Sequence, residues 1–201
     1  GPGGAHSWQP MSYSPRTHLV YLPAMEMSFP YVPDVARTTR QLAWNTGVDF
    51  NAGSLPQDEA VKAAIKSHLK GHLAAWDPVR QREVWRVQYD HPWNGGVVAT
   101  AGDLVFYGTM DGWFKAVDAR SGALLWQFKT GSGIIGQPIT YKGPDGHQYV
   151  AVLSGVGGWS GAIVAGGLDA RDSSAAAGFV NVMRDLPSKT TKGGMLYVFG
   201  L

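Results

Sequence analysis

An internal repeat constrains this chain more than any other feature. Ala75-x-Asp77 followed by Trp85 recurs as Ala116-x-Asp118 followed by Trp126, at an offset of 41 positions. A second alignment sets residues 8–24 against 93–109, with Trp8 on Trp93 and Leu19-Val20-Tyr21 on Leu104-Val105-Phe106. A third copy starts at Gly136-Gln137-Pro138 and runs through Gln148-Tyr149-Val150-Ala151-Val152, and residues 193–199 resemble 111–117. The chain therefore holds about three units, the third incomplete.

The middle unit is the clearest. Alternating residues predict strands over 104–107, 113–118 and 123–128, separated by turns at Met110-Asp111-Gly112 and Arg120-Ser121-Gly122. One small sheet cannot bury both of its faces alone. A period near 40 with short antiparallel strands is the pattern of β-propeller blades, whose twisted sheets stack face on face. Trp85 and Trp126 close equivalent strands, where a flat ring can cover the backbone of the next blade. The fold class expected is all-β, and residues 1–201 form one partial propeller domain.

Composition agrees. The chain is 44% hydrophobic with 27 Gly and 8 Trp, which suits short strands, tight turns and bulky packing residues. A net charge of +2 on a chain only 16% charged implies neither nucleic acid nor an anionic membrane as partner. With no cysteine, it can form no disulfide, thiolate metal site or covalent haem attachment. No window approaches the ~18 uncharged apolar residues of a membrane span. The opening GPGGAHSWQP has no basic or apolar leader pattern, which suits a mature or cut piece, or a chain never exported.

Two insertions interrupt the repeat, 25–72 and 156–192, where the middle unit has only its tight turn at Met110-Asp111-Gly112. Successive hairpins of a blade alternate between the two propeller faces. Both insertions therefore emerge on one face, together with the inter-blade links carrying Trp8, Trp93 and 131–136. That face is where a ligand site would be built. Residues 58–69 predict a helix with acids in its first turn, and 172–186 a second helix with Pro187 as its stop.

The chemistry visible in single residues is sparse. Gly155-Val156-Gly157-Gly158-Trp159-Ser160-Gly161 lacks the Gly-Lys-Ser/Thr ending of a phosphate loop. Gly158 before Trp159 instead lets backbone pass close to a flat group on which the indole stacks, or simply makes a tight loop with a packing ring. The six histidines, His6, His18, His68, His72, His91 and His147, show no ligand spacing and read as surface residues. Asp169, Asp172 and Asp185 read as caps and solvated positions. Ser154 and Ser160 have no His/Asp constellation. No catalytic or metal-ligating residue is assigned within the chain.

Taken together, the motifs resemble those of eight-bladed quinoprotein alcohol dehydrogenases, which use pyrroloquinoline quinone. The Ala-x-Asp…Trp repeat is similar to their tryptophan-docking motif. Further matches are Gly4-Ala5-His6-Ser7-Trp8-Gln9-Pro10-Met11-Ser12, Pro92-Trp93-Asn94-Gly95-Gly96, Ser132-Gly133-Ile134-Ile135-Gly136 and Leu153-Ser154-Gly155-Val156-Gly157-Gly158-Trp159. The last of these, with Gly178-Phe179-Val180-Asn181 and Lys192-Gly193-Gly194, most resembles methanol dehydrogenases, including the lanthanide-dependent type. The resemblance covers nearly the whole chain.

It implies that the chain is the C-terminal set of blades of such an enzyme, with two partly helical insertions. It further implies that Trp93, Asn94, Gly158 and Trp159 lie around the quinone, with Ser7 and Trp8 near its edge. Ser7 stands where relatives commonly carry Asn. A Ca²⁺ or lanthanide ion, the carboxylate base and a vicinal cysteine pair belong, by the same resemblance, to earlier blades. The partners implied are a small alcohol as substrate, a cytochrome c as electron acceptor and the rest of the propeller, in the periplasm, with a homodimer left open. Two to three blades alone leave an open edge and are expected neither to fold stably nor to oxidise alcohol. The competing reading is a non-catalytic propeller scaffold of the outer-membrane assembly type.

Overall fold

The computed structural model describes residues 4–37, 39, 45–49, 52, 54, 56–158, 161, 164, 168, 169 and 183–201. Its strands are β1 (Ser12–Ser14), β2 (Leu19–Glu26), β3 (Lys70–Asp77), β4 (Arg82–Tyr89), β5 (Val97–Ala99) and β6 (Leu104–Gly108). They continue as β7 (Trp113–Asp118), β8 (Leu124–Lys129), β9 (Ile139–Lys142), β10 (Gln148–Gly155) and β11 (Gly194–Gly200). Helix α1 (Glu59–His68) lies in the first insertion and the short α2 (Leu186–Lys189) in the second.

The strands form three antiparallel meanders in chain order: β1-β2-β3-β4, β5-β6-β7-β8 and β9-β10-β11. The repeat thus marks sheets, as its spacing predicts, and the third sheet has three strands among the described residues. The alternation in β6 decides how they stack. Val105 and Tyr107 join Leu19, Tyr21, Leu73 and Ala75 in one apolar cluster between the first two sheets. Phe106, on the opposite face, joins Phe114, Val150 and Val152 between the second and third. A strand buried on both faces sits in the middle of a stack.

The repeat also carries its irregularities at matching places. The β3–β4 register slips between Ala75 and Trp76, and the β7–β8 register between Ala116 and Val117. Past each bulge the motif aspartate closes the turn. Asp77 Oδ1 accepts from the N–H groups of Val79 and Arg80 at 3.0 and 2.9 Å, and Asp118 Oδ1 from those of Arg120 and Ser121 at 3.0 and 2.8 Å. Each turn then needs one residue of positive φ, Gln81 at 52° and Gly122 at 72°.

The first sheet locks onto the second at that turn. Trp85 Nε1–H donates to Ala119 O at 3.2 Å, and Tyr21 Oη–H donates to the same carbonyl at 2.9 Å. The indole lies flat on the glycine, and a Cβ at Gly122 would stand 2.7 Å from Trp85 Cε3. Trp126, the equivalent ring one unit later, meets Phe199 of β11 edge-on at 5.1 Å. At the inner edge, β1 and β5 are tied where Ala99 N–H donates to Ser12 Oγ at 3.0 Å.

In the first insertion, α1 starts where predicted: Asp58 accepts from the N–H groups of Ala60 and Val61. In the second, the helix expected over 172–186 lies outside the described residues up to 182. Pro187 does not stop a helix. It sits in the first turn of α2, where its missing N–H has no partner to lose and its fixed φ suits helix entry.

The two positive-φ turn residues should respond in opposite ways. Gly122→Ala places a methyl against the indole and strains the backbone, and is expected to cost about 1–3 kcal/mol. Gln81→Gly relieves the left-handed backbone strain at φ 52°, and is expected to be neutral or to stabilise by up to about 1 kcal/mol. Urea denaturation of the intact gene product measures both.

Candidate functional site

Backbone segments from all three sheets converge on the insertion face, and glycines let them touch. A Cβ at Gly96 would lie 2.6 Å from Pro10 Cδ and 2.8 Å from Gln137 Cβ, and one at Gly95 2.5 Å from Gly136 O. A Cβ at Gly108 would strike Ile134, and one at Gly133 would strike Met110 O. Gly155 N–H donates to Gly133 O at 2.7 Å, and Ile134 and Gly155 form a parallel bridge. Residues 8–10, 94–96, 133–137 and 155–158 thus lie side by side as a shelf of backbone.

The candidate residues occupy this shelf unequally. Trp93 is buried, packed with Met25, Leu69, Met110, Met183 and Leu186 where the two insertions meet. Asn94 is buried too, and both ends of its carboxamide are engaged: Nδ2–H donates to His91 O at 2.6 Å, and Oδ1 accepts from Met110 N–H at 3.0 Å. Ser7 and Trp8 are exposed, Trp8 by 54%. They are held by their neighbours, with His6 Nδ1 2.7 Å from Pro23 O and Ser7 N–H on Gln9 Oε1 at 3.3 Å. Gly158 is exposed with φ of 56°, and a Cβ there would meet nothing within 4 Å. Trp159 and Ser160, like residues 178–181, lie outside the described residues. Ser154 is buried and donates to Ser132 O at 2.8 Å, a structural bond rather than part of a nucleophile.

Two histidines read as surface residues are buried. His72, on β3, has its Nδ1 3.0 Å from Glu26 Oε1, with Arg86 bound to the same oxygen at 2.9 Å. His91 lies beneath the insertions, 3.8 Å from Asp185 Oδ2. Burial holds both imidazoles below the usual histidine range, with the Arg86 charge adding to the effect on His72. Asp185 is not a solvated cap either. Its side chain makes no capping bond to α2 but pairs with Lys66 at 2.5 Å and Lys189 at 2.9 Å. Burial opposes its ionisation, yet the two lysines hold the carboxyl far below the usual carboxylate range.

Sequence reasoning missed His91, Asp185 and Met110 because none carries a motif. The available signal was indirect: Asp90, His91 and Pro92 lead straight into Trp93, and Asp185 precedes the Leu186-Pro187 helix entry. Tested against a flat ring ligand, the described shelf fits. Backbone at Gly158 borders open space, with nothing within 4 Å of a Cβ built there, and Trp8 exposes its indole, while the other glycines serve the close packing of the segments themselves. Tested against a metal ion it does not fit, since no group of three His, Asp or Glu gathers among the described residues.

A protein-family profile described as "PQQ: Glucose/ethanol/alcohol dehydrogenase, beta-propeller domain" matches residues 61–150. The chain is 44% identical over 201 residues to the lanthanide-dependent methanol dehydrogenase of Methylacidiphilum fumariolicum, covering 98% of this chain and 31% of that protein. The chain belongs to the PQQ-dependent alcohol dehydrogenase propeller family. It is 45% identical over 159 residues to the dehydrogenase subunit of the alcohol dehydrogenase (quinone) of Acetobacter aceti, covering 79% of this chain and 21% of that one. Among solved structures, a europium-containing methanol dehydrogenase superposes with a TM-score of 0.79 at 39% identity, over 100% of this chain and 34% of that one. The quinohemoprotein alcohol dehydrogenase of Comamonas testosteroni gives 0.67 at 32% identity, over 100% and 26%. The chain thus spans about a third or less of the length of these relatives. The three stacked sheets are blades of this family's propeller.

The buried polar groups give two expected outcomes. Asn94→Asp sets a carboxylate against His91 O in a buried site, and is expected to cost roughly 3 kcal/mol at neutral pH. The folded state raises that acid's pKa, so the deficit should shrink as pH falls and the carboxyl donates to His91 O; denaturation at stepped pH measures this. For His72 and His91 the folded pKa is depressed, so the unfolded chain takes protons first. Stability should therefore fall as pH drops below the ordinary histidine range, and His91→Gln should flatten part of that slope.

Proposed function

We propose that this chain is the C-terminal part of a periplasmic quinoprotein dehydrogenase that oxidises primary alcohols, methanol or similar, and passes the electrons to a cytochrome c. The observation that carries the reading is the 44% identity to a lanthanide-dependent methanol dehydrogenase along 98% of this chain, both insertions included. A scaffold propeller has no use for a shelf of glycines beneath two long insertions.

When bound, pyrroloquinoline quinone supplies the two-electron acceptor that takes hydride from the alcohol carbon. The chain's own contribution is binding and orientation. Gly157 and Gly158 keep the backbone low enough for a flat ring to approach. Trp8 offers an indole face for it, and by family resemblance Trp159 offers a second. Trp93 and Asn94 work from below, one filling the apolar space under the insertions, the other pinning the 91–94 link to Met110 N–H. Ser7 is placed near the ring's edge. Leu69, Met183 and Leu186 of the insertions pack with Trp93 and exclude water from it.

The rest of the propeller is the partner most directly supported. On the outward face of the third sheet, Ile139, Leu153, Leu196 and Val198 are 54%, 64%, 59% and 47% exposed, beside the stacked rings of Tyr141 and Tyr149. So much contiguous apolar surface calls for a covering blade. The metal's ligands and the catalytic base would come from those further blades. No described helix is long and apolar enough to cross a membrane.

The test is optical titration of the intact gene product with the quinone in the presence of Ca²⁺ or La³⁺, beside the 201-residue piece. Binding and alcohol-dependent dye reduction by the long form alone are expected, and the more effective ion names the metal. Failure of the long form to bind with either ion would sink the enzyme reading in favour of a scaffold.

A further inference from the structure

Asp185 stands where three separate parts of the chain meet. Its Oδ1 is 2.5 Å from Lys66 Nζ, in the last turn of α1. Its Oδ2 is 2.9 Å from Lys189 Nζ, in α2, and 3.8 Å from His91 Nε2. Helix α1 belongs to the insertion after β2 and α2 to the insertion after β10, while His91 opens the link that carries Trp93 and Asn94. Below this junction the side chains of Met25, Leu69, Met183 and Leu186 surround Trp93. From His91 the path to the candidate site is short: its carbonyl holds the Asn94 amide, and Asn94 holds the N–H of Met110.

We propose that Asp185 is a positioning residue, whose carboxylate clamps both insertions to the 91–94 link and so sets the placement of Trp93 and Asn94. Its relevance to quinone binding rests on the function proposed above; the clamp itself does not. A second tie between the insertions, Glu59 to Arg184 at 2.7 Å, is a poorer candidate. Both of its side chains are more than half exposed and neither reaches the link, so solvent screens it. Around Asp185, by contrast, His91 is almost wholly buried and the carboxylate 27% exposed. The charged groups facing the junction are Lys66, Lys189, Asp90 and Asp111. Removing the one carboxylate that touches both lysines leaves two ammonium groups beside a buried ring, with only the solvent-screened Glu59–Arg184 pair and the apolar layer around Trp93 to hold the insertions together.

The test uses the intact gene product with Asp185→Asn, Asp185→Glu and Glu59→Gln. Without quinone, the readout is hydrogen exchange at the Met110 amide, which Asn94 holds. Asp185→Asn should speed that exchange on the order of tenfold, with blade-core amides such as Val105 and Val117 unchanged. Asp185→Glu should restore protection, and Glu59→Gln should leave it as in the parent. In the optical titration, Asp185→Asn should weaken quinone binding to a similar degree, again with rescue by glutamate. Unaltered Met110 exchange in Asp185→Asn overturns the proposal. So does an equal effect from Glu59→Gln, or a loss of protection spread evenly over the blade cores. If the parent protein takes up no quinone, the proposed function fails, while the Met110 amide still decides the clamp.

Discussion

The docking of Trp85 on the Ala119–Gly122 turn is the contact on which the arrangement of sheets depends. Each meander alone exposes an apolar face, and stacking is what buries it. Stacking of twisted sheets is loosely directed by hydrophobicity, which has no orientation of its own. The indole supplies the orientation. Its N–H finds one carbonyl, Ala119 O, and its plane finds the one residue without a side chain to resist it, Gly122. Tyr21 reaches the same carbonyl from a different strand, so a single turn of the second sheet is gripped from two points on the first.

What the stacking builds on the insertion face is a place where little but backbone remains. Gly95, Gly96, Gly108 and Gly133 each sit where a side chain would collide with a neighbouring segment. The segments are therefore packed edge to edge, with the N–H groups of Gly95, Ile134 and Gly155 each bonded to a carbonyl of a neighbouring segment. Above this shelf the insertions are joined to each other and to the link by an apolar layer and a small set of charges. The floor is held by close backbone packing, and the described parts of the insertions by apolar and charged contacts together.

Much of this was legible in the residues. The strands of the middle sheet fall within a residue or so of the pattern read from Leu104 to Phe128, because alternation and Asp/Gly turns are local signals. The capped start of α1 was legible at Asp58 for the same reason. Pro187 was not, since proline both ends helices and begins them, and the choice depends on the residues beyond it. His72 and His91 looked like surface residues because spacing cannot reveal burial; Glu26 and Arg86 reach His72 across strands, and Asp185 approaches His91 from an insertion more than ninety positions later. Asn94 was picked out by resemblance, but the use of its carboxamide to hold Met110 N–H appears only when β6 and the link are side by side.

By itself, then, the amino-acid sequence determined the unit: a meander with a bulge, an aspartate-closed turn and a tryptophan, written more than once. These are properties of neighbouring residues and their φ/ψ preferences, so they repeat wherever the residues do. Tertiary structure decided which groups with no local relation come together, the indole with a glycine one blade on, or a carboxylate of one insertion with a lysine of the other. Burial and charge pairing act through distance in space, and only the packed fold sets that distance.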